Sequence, residues 1–272
     1  MSTDLLPPAM ELIESARRGL DPAECVLIVV DIQEKLLPPV FEPDRVVKNS
    51  QLLIRAAGIL NLPTIATTQY ANGLGETVSD VKSLLPTPAI DKQIFSCFGS
   101  DLFCSMLKRL PGRRTTMLLC GMESHICVAQ TALAALLQGY LVHVASDAVS
   151  SRTEWNWKIG LERMRAAGAV ISSTEMMIYE LLRSSGTDEF KRMLAYLRQH
   201  SLWARFSTAP NLPFTDLPGY SFAFTRTTVI FEKPSSNVGG LSLAAIWRIT
   251  LSSTMRWRRA FRSRQTSSGT SK

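Results

Sequence analysis

Cys127 is the residue whose type and setting first suggest chemistry. It follows the apolar run Thr116-Met117-Leu118-Leu119-Cys120, which stops at Gly121, and precedes the helix-like run Ala129-Gln130-Thr131-Ala132-Leu133-Ala134-Ala135-Leu136-Leu137. Ser124 is a good N-cap type, and counting from it puts Cys127 at N3 of the first helical turn. A thiol there feels the positive end of the helix dipole, which favours a thiolate by roughly 0.3–1 kcal/mol in exposed settings. Position alone leaves two readings open: a nucleophile at a strand-to-helix turn, or a small buried core residue.

Two further residues belong with it. Val26-Leu27-Ile28-Val29-Val30 is a continuous apolar run that ends in the carboxylate of Asp31. Such a run fits a strand buried on both faces of a parallel sheet, and the carboxyl ends of such strands are where open α/β sheets bind ligands. A plain helix cap is the competing role for Asp31. In Ala89-Ile90-Asp91-Lys92-Gln93-Ile94-Phe95 a lysine sits in the apolar middle of a candidate strand, where snorkelling to solvent is the competing role.

Positioning these residues requires an alternating frame, and the chain supplies one. Candidate strands are Val26–Val30, Thr64–Thr68, Ala89–Phe95, Thr116–Cys120, Leu141–Ala145 and Val170–Ser172. Helical runs lie at Asp44–Leu60, Leu102–Leu110, Cys127–Gln138, Trp155–Ala167, Thr174–Leu182 and Asp188 to about His200. Alternation of this kind predicts a three-layer α/β/α fold, with a six-stranded, mostly parallel sheet and helices on both faces.

The three residues and their surroundings resemble the isochorismatase-like cysteine hydrolase superfamily, in particular its isochorismatase-domain proteins of unassigned substrate. The likeness rests on Leu27-Ile28-Val29-Val30-Asp31-Ile32-Gln33, on Lys92 ahead of Phe95-Ser96, and on Gly121-Met122-Glu123-Ser124-His125-Ile126-Cys127-Val128. Thr68-Gln69-Tyr70 with Gly73-Leu74-Gly75, and Ser146-Asp147-Ala148-Val149-Ser150-Ser151-Arg152, extend it from about Glu24 to about Leu197. The resemblance implies a catalytic triad of Asp31, Lys92 and Cys127. Asp31 would take the thiol proton, Lys92 would lower the thiol pKa and hold the carboxylate ionised, and Cys127 would form a thioester-type intermediate that water cleaves. It also implies a non-proline cis peptide between Met122 and Glu123, with the backbone N–H groups of Glu123 and Cys127 as an oxyanion hole. Gln33, Gln69, Tyr70 and Phe98 are candidate pocket residues on the same analogy.

Departures from the family narrow the expectation. Members that cleave the vinyl ether of isochorismate have lost the cysteine, which this chain retains. Nicotinamidase-like members hold a metal through an Asp and two His, but Asn61 to Lys92 contains no histidine, and His125, His143 and His200 have no metal-ligand spacing. No metal and no cofactor are therefore expected. Thr68 stands where close relatives often carry Glu, which changes the pocket polarity. The expected activity is metal-independent hydrolysis of a small amide or carbamoyl-like C–N substrate. Nearby polar residues have structural roles open to them: His125 as a cap or pocket wall, Glu123 as a locally bonded carboxylate, and Asp147 as the cap of the next helix.

Composition agrees with one sizeable core, since the chain has 272 residues and is 46% hydrophobic. Its five cysteines are odd in number with no Cys-x-x-Cys, which argues against a disulfide framework or a zinc site. No apolar signal segment opens the chain, so the expected compartment is the reducing cytoplasm. The organisation reads as a lead-in over 1–23, a hydrolase domain over 24–204 and a C-terminal extension over 205–272 that is foreign to the family. The extension holds ten Lys or Arg against Asp216 and Glu232, and so accounts for the net charge of +7. No nucleic-acid partner is thus expected for the core domain. The expected partners are a small-molecule substrate and further copies of the chain. The run Leu241–Leu251 is too short to cross a bilayer, which needs roughly 20 apolar residues. With Arg256-Trp257-Arg258-Arg259 after it, the extension suits an anionic membrane surface, nucleic acid or another unknown partner. Alternatively, it is a poorly ordered tail on the hydrolase. A non-catalytic interaction protein built on the same fold is the competing function.

Overall fold

The computed structural model describes residues 19–200, with side chains to Arg198. The lead-in before Gly19 and the basic extension lie outside the described residues.

The strands are β1 (Cys25–Val30), β2 (Thr64–Gln69), β3 (Ile90–Lys92), β4 (Thr116–Met122), β5 (Leu141–Ser150) and β6 (Val170–Ser172). β1 is buried throughout, and its residues alternate between two cores. Cys25, Leu27 and Val29 join one apolar cluster, and Val26, Ile28 and Val30 join the other. β4 repeats the pattern, with Leu118, Cys120 and Met122 on the first side and Met117 and Leu119 on the second. The uninterrupted apolar runs thus reflect burial on both faces of a pleated strand. Each buried Leu or Ile side chain contributes roughly 1.5–3 kcal/mol.

The helices in chain order are α1 (Pro43–Ile59), α2 (Ala71–Leu74), α3 (Ser79–Lys82), α4 (Asp101–Lys108), α5 (Cys127–Leu137), α6 (Glu154–Ala166), α7 (Thr174–Leu182) and α8 (Asp188–His200). α1, α7 and α8 cover the first side of the sheet through Leu53, Ile54, Met177, Ile178 and Met193. α4, α5 and α6 cover the second through Phe103, Leu107, Val128, Ala132 and Met164. This is the three-layer α/β/α arrangement expected from alternation.

The strands pair in the order β3-β2-β1-β4-β5-β6, and every pair is parallel. The order runs one way from β1 to β3 and the other way from β4 to β6. Open α/β sheets place their ligand crevice at such a reversal, outside the carboxyl ends of the strands on either side, here β1 and β4. Asp31 follows β1, and Cys127 follows the turn after β4.

Several boundaries move. β3 ends at Lys92, so the lysine terminates the strand instead of lying in its middle. β3 is an edge strand paired only with β2, and Ile94 and Phe95, which looked like its continuation, are exposed. β5 runs on to Ser150, well past Ala145, so Asp147 lies within it. Asp147 Oδ1 accepts from the Thr174 N–H at 2.7 Å and the Thr174 hydroxyl at 2.9 Å. It therefore caps α7, not the helix that follows it in sequence. α2 and α3, each four residues long, and the 3-10 turn Cys97–Gly99 escape the periodicity of the sequence, because elements this short carry no repeat.

Candidate active site

Asp31 leaves β1 in the left-handed region at φ 50 and is fully buried. Its Oδ1 accepts from the Thr67 hydroxyl at 2.7 Å and its Oδ2 from Lys92 Nζ at 2.7 Å. Lys92 Nζ donates a second bond to Gln69 Oε1 at 2.9 Å. Side-chain exposure is 1% for Lys92 and 0% for Asp31, so each charge depends on the other. Asp31 is thus the hub of a buried network and caps no helix.

Cys127 opens α5 at N1, not N3. Ile126 is the flanking residue, and no side chain caps the helix. Ser124, expected as the N-cap, instead bonds the Ser151 hydroxyl at 2.6 Å. Gly160 of α6 presses on the same turn, close enough that a Cβ there would stand 2.8 Å from the Ser124 carbonyl. The turn's shape is thus decided by β5 and α6, which sequence counting from Ser124 does not register.

Burial is the largest influence on the Cys127 thiol and pushes its pKa up. The Asp31 carboxylate adds to this, by charge and as a hydrogen-bond acceptor. Lys92 pulls the other way and is outweighed. The net shift is opposite to the one expected from a cation and a helix start, so the resting thiol keeps its proton. Cys97 is a further buried thiol of the network, its Sγ 3.7 Å from the Thr67 hydroxyl, and burial raises it too.

The two backbone donors expected of an oxyanion hole lie in and beside the turn before Cys127. The Met122–Glu123 peptide is cis. The Glu123 carbonyl accepts from the N–H groups of Ile126 at 3.0 Å and Val128 at 3.2 Å. Among the described residues, neither the Glu123 N–H nor the Cys127 N–H finds an intramolecular acceptor. For Cys127 the reason is its place in the first helical turn, where backbone donors have no partner four residues back. Burial opposes charge on the Glu123 carboxylate, but bonds from Arg152 outweigh it and hold the group below the usual carboxylate range. His125 Nδ1 lies 3.0 Å from the Ser151 hydroxyl, and burial lowers its pKa.

The four candidate pocket residues separate. Gln33 is buried, and its amide knits the loop after β2: Nε2 donates to the carbonyls of Gln69 and Gly75, and Oε1 accepts from the Gln69 N–H. Gln69 orients Lys92 and donates to the Gln93 carbonyl at 2.6 Å. Phe98 packs on Phe103 and Tyr140. Tyr70 is half-exposed and bent over Gly73, where a Cβ would stand 2.1 Å from its ring. Thr68, where relatives carry Glu, donates to Asp91 Oδ1 at 3.0 Å. Sequence reasoning missed Thr67 and the Arg152–Glu123 pair. A hydroxyl inside an apolar strand run was the available signal for Thr67, whereas nothing in the spacing pointed from position 152 to position 123.

Known proteins resemble the chain in sequence and in fold. The family model described as "Isochorismatase domain" matches residues 25–176. The chain is 39% identical over 198 residues to the "Secreted isochorismatase effector Isc1" of Phytophthora sojae, covering 70% of this chain and 94% of that one. It superposes on the "MAR1 Ribonuclease" of Caenorhabditis elegans with a TM-score of 0.62 and 33% identity, covering 73% and 100% of the two chains. It also superposes on the Escherichia coli YcaC gene product, described as an octameric hydrolase of unknown specificity. There the TM-score is 0.64 and the identity 28%, over 70% and 97% of the two chains.

Proposed function

The chain belongs to the isochorismatase family of hydrolases, and from that premise we propose that it is a cysteine hydrolase cleaving a small amide or carbamoyl-like C–N bond without a metal. In this reading Cys127 Sγ attacks the carbonyl carbon while Asp31 takes the thiol proton in the same step. The raised thiol pKa is then no obstacle, because sulfur need not ionise before substrate arrives. The Glu123 and Cys127 N–H groups receive the developing oxyanion. Collapse expels the amine with the proton that Asp31 carries. Water, deprotonated by Asp31, then cleaves the thioester and restores the thiol. Lys92 keeps Asp31 fixed through the bond between Nζ and Oδ2.

The observation that carries the reading is Asp31: a buried carboxylate with one oxygen on Thr67, the other on Lys92, and the Cys127 thiol beside it. A core packed for stability alone gains nothing from three such groups together. Small neutral substrates suit the site better than phosphodiesters, because Lys92 and Arg152 are each already paired with a carboxylate. Self-association fits the edge where Tyr70, Ile94 and Phe95 are exposed, and the octameric relative supports it. A reducing cytoplasm suits five free thiols.

The test is a panel of small amides and carbamoyl compounds, with an RNA oligonucleotide included, assayed on the wild type and on Cys127→Ala. Amine release by the wild type alone, with an acyl adduct on Cys127 in quenched samples, is the expected outcome. Equal turnover by Cys127→Ala, or cleavage of the RNA alone, would overturn the proposal.

A further inference from the structure

We infer that Arg152 is a positioning residue for the oxyanion site, acting through the Glu123 carboxylate on the Glu123 N–H; the inference rests on Cys127 being the nucleophile. Arg152 commits three donors to that one carboxylate. Its backbone N–H reaches Oε2 at 2.9 Å, Nε reaches Oε2 at 3.1 Å, and Nη2 reaches Oε1 at 2.6 Å. Glu123 is thereby held at its side chain, while its carbonyl is held by Ile126 and Val128. Among the described residues its N–H alone is left without an acceptor.

The sheet by itself leaves this position under-determined. Pairing between β4 and β5 slips between Leu119 and Gly121, and the ladder ends with Met122 opposite Ser150. Beyond it, β5 grips the nucleophile turn through the Ser124 N–H on the Ser150 carbonyl at 2.8 Å, and the loop after β5 grips it through Arg152 on Glu123. The Arg152 side chain is 59% exposed while that of Glu123 is 7% exposed. A half-solvated cation contributes little through charge alone. Its planar fork instead fixes a carboxylate in two directions, which a lysine ammonium does not do.

The experiment compares two reagents on Cys127 in the full chain, followed by peptide mass spectrometry. In acrylamide addition an S–C bond forms at the β-carbon, and the alkene electron pair moves onto the amide oxygen. The resulting enolate then takes a proton at the α-carbon. With iodoacetamide an S–C bond forms as C–I breaks, and the charge leaves on iodide, not on the carbonyl. The ratio of the two rates therefore reports the oxyanion site and cancels the ionisation of the thiol. Arg152→Ala is expected to slow acrylamide roughly ten- to a hundredfold, the scale of a misplaced donor, and to leave iodoacetamide near its wild-type rate. Arg152→Lys, which keeps the charge, is expected to behave like the alanine variant, and it carries the comparison if Arg152→Ala does not fold. An unchanged ratio in a folded variant, whether both rates fall together or neither falls, would overturn the inference and leave the nucleophile reading intact. Failure of wild-type Cys127 to take either reagent would remove the nucleophile reading and this inference with it.

Discussion

Replacing Lys92 with Met tests the buried network directly. The lysine and Asp31 side chains are 1% and 0% exposed, and their bond is 2.7 Å long. Met fills similar volume but leaves the Asp31 carboxylate with no cation, facing only the neutral Thr67 hydroxyl and Cys127 thiol. Breaking a buried pair from one side costs about 3–5 kcal/mol, because the remaining charge is uncompensated. For a domain of this size each kcal/mol lowers Tm by roughly 2–4 °C, so the variant should melt roughly 6–20 °C below wild type. The double variant Asp31→Leu/Lys92→Met removes both charges and should recover most of that loss, since an apolar pair of similar volume is often neutral or better. Thermal and urea unfolding on the single and double variants measure both quantities. Amide turnover should be absent in all of them, separating stability from chemistry. A Lys92→Met protein melting within about 2 °C of wild type, or a double variant less stable than the single one, would refute the account of the site as a mutually dependent ion pair.

Two other perturbations probe the frame around the site. Burial holds His143 down to about 4, whereas the unfolded chain protonates its histidines near 6.5. Between those values the unfolded state binds the extra proton, so stability is lost as pH falls from 6.5 through about 4, by on the order of 3 kcal/mol. His143→Gln should flatten urea-derived stability across that window, and an unchanged slope would show that other groups cause it. Gly160→Ala puts a Cβ 2.8 Å from the Ser124 carbonyl. It should cost amide turnover and Cys127 acylation in a protein that still unfolds cooperatively, whereas wild-type turnover would mean that α6 does not shape the turn before Cys127.

Much of this molecule is legible in its amino-acid sequence. The apolar runs of β1 and β4 carry burial on both faces in their composition, since a strand with cores above and below admits no polar alternation. Asp31 ends one such run, and Cys127 stands between the other and a helix, so both fall at the carboxyl edge of a parallel sheet by chain order alone. The tertiary structure decided what those residues experience. Lys92 meets Asp31 only because β3 lies beside β2 and β2 beside β1, a consequence of sheet order that local sequence does not encode. The thiol pKa rises where a cation and a helix start suggested a fall, because burial and a facing carboxylate outweigh both. The turn before Cys127 is held by Ser151 and Arg152 from the loop after β5 and by Gly160 from α6. Chain order thus determined which residues reach the crevice, since the twist and handedness of βαβ units leave little freedom there. Packing decided their charge, their hydrogen bonds and which backbone donors stay free, because those depend on neighbours distant in sequence.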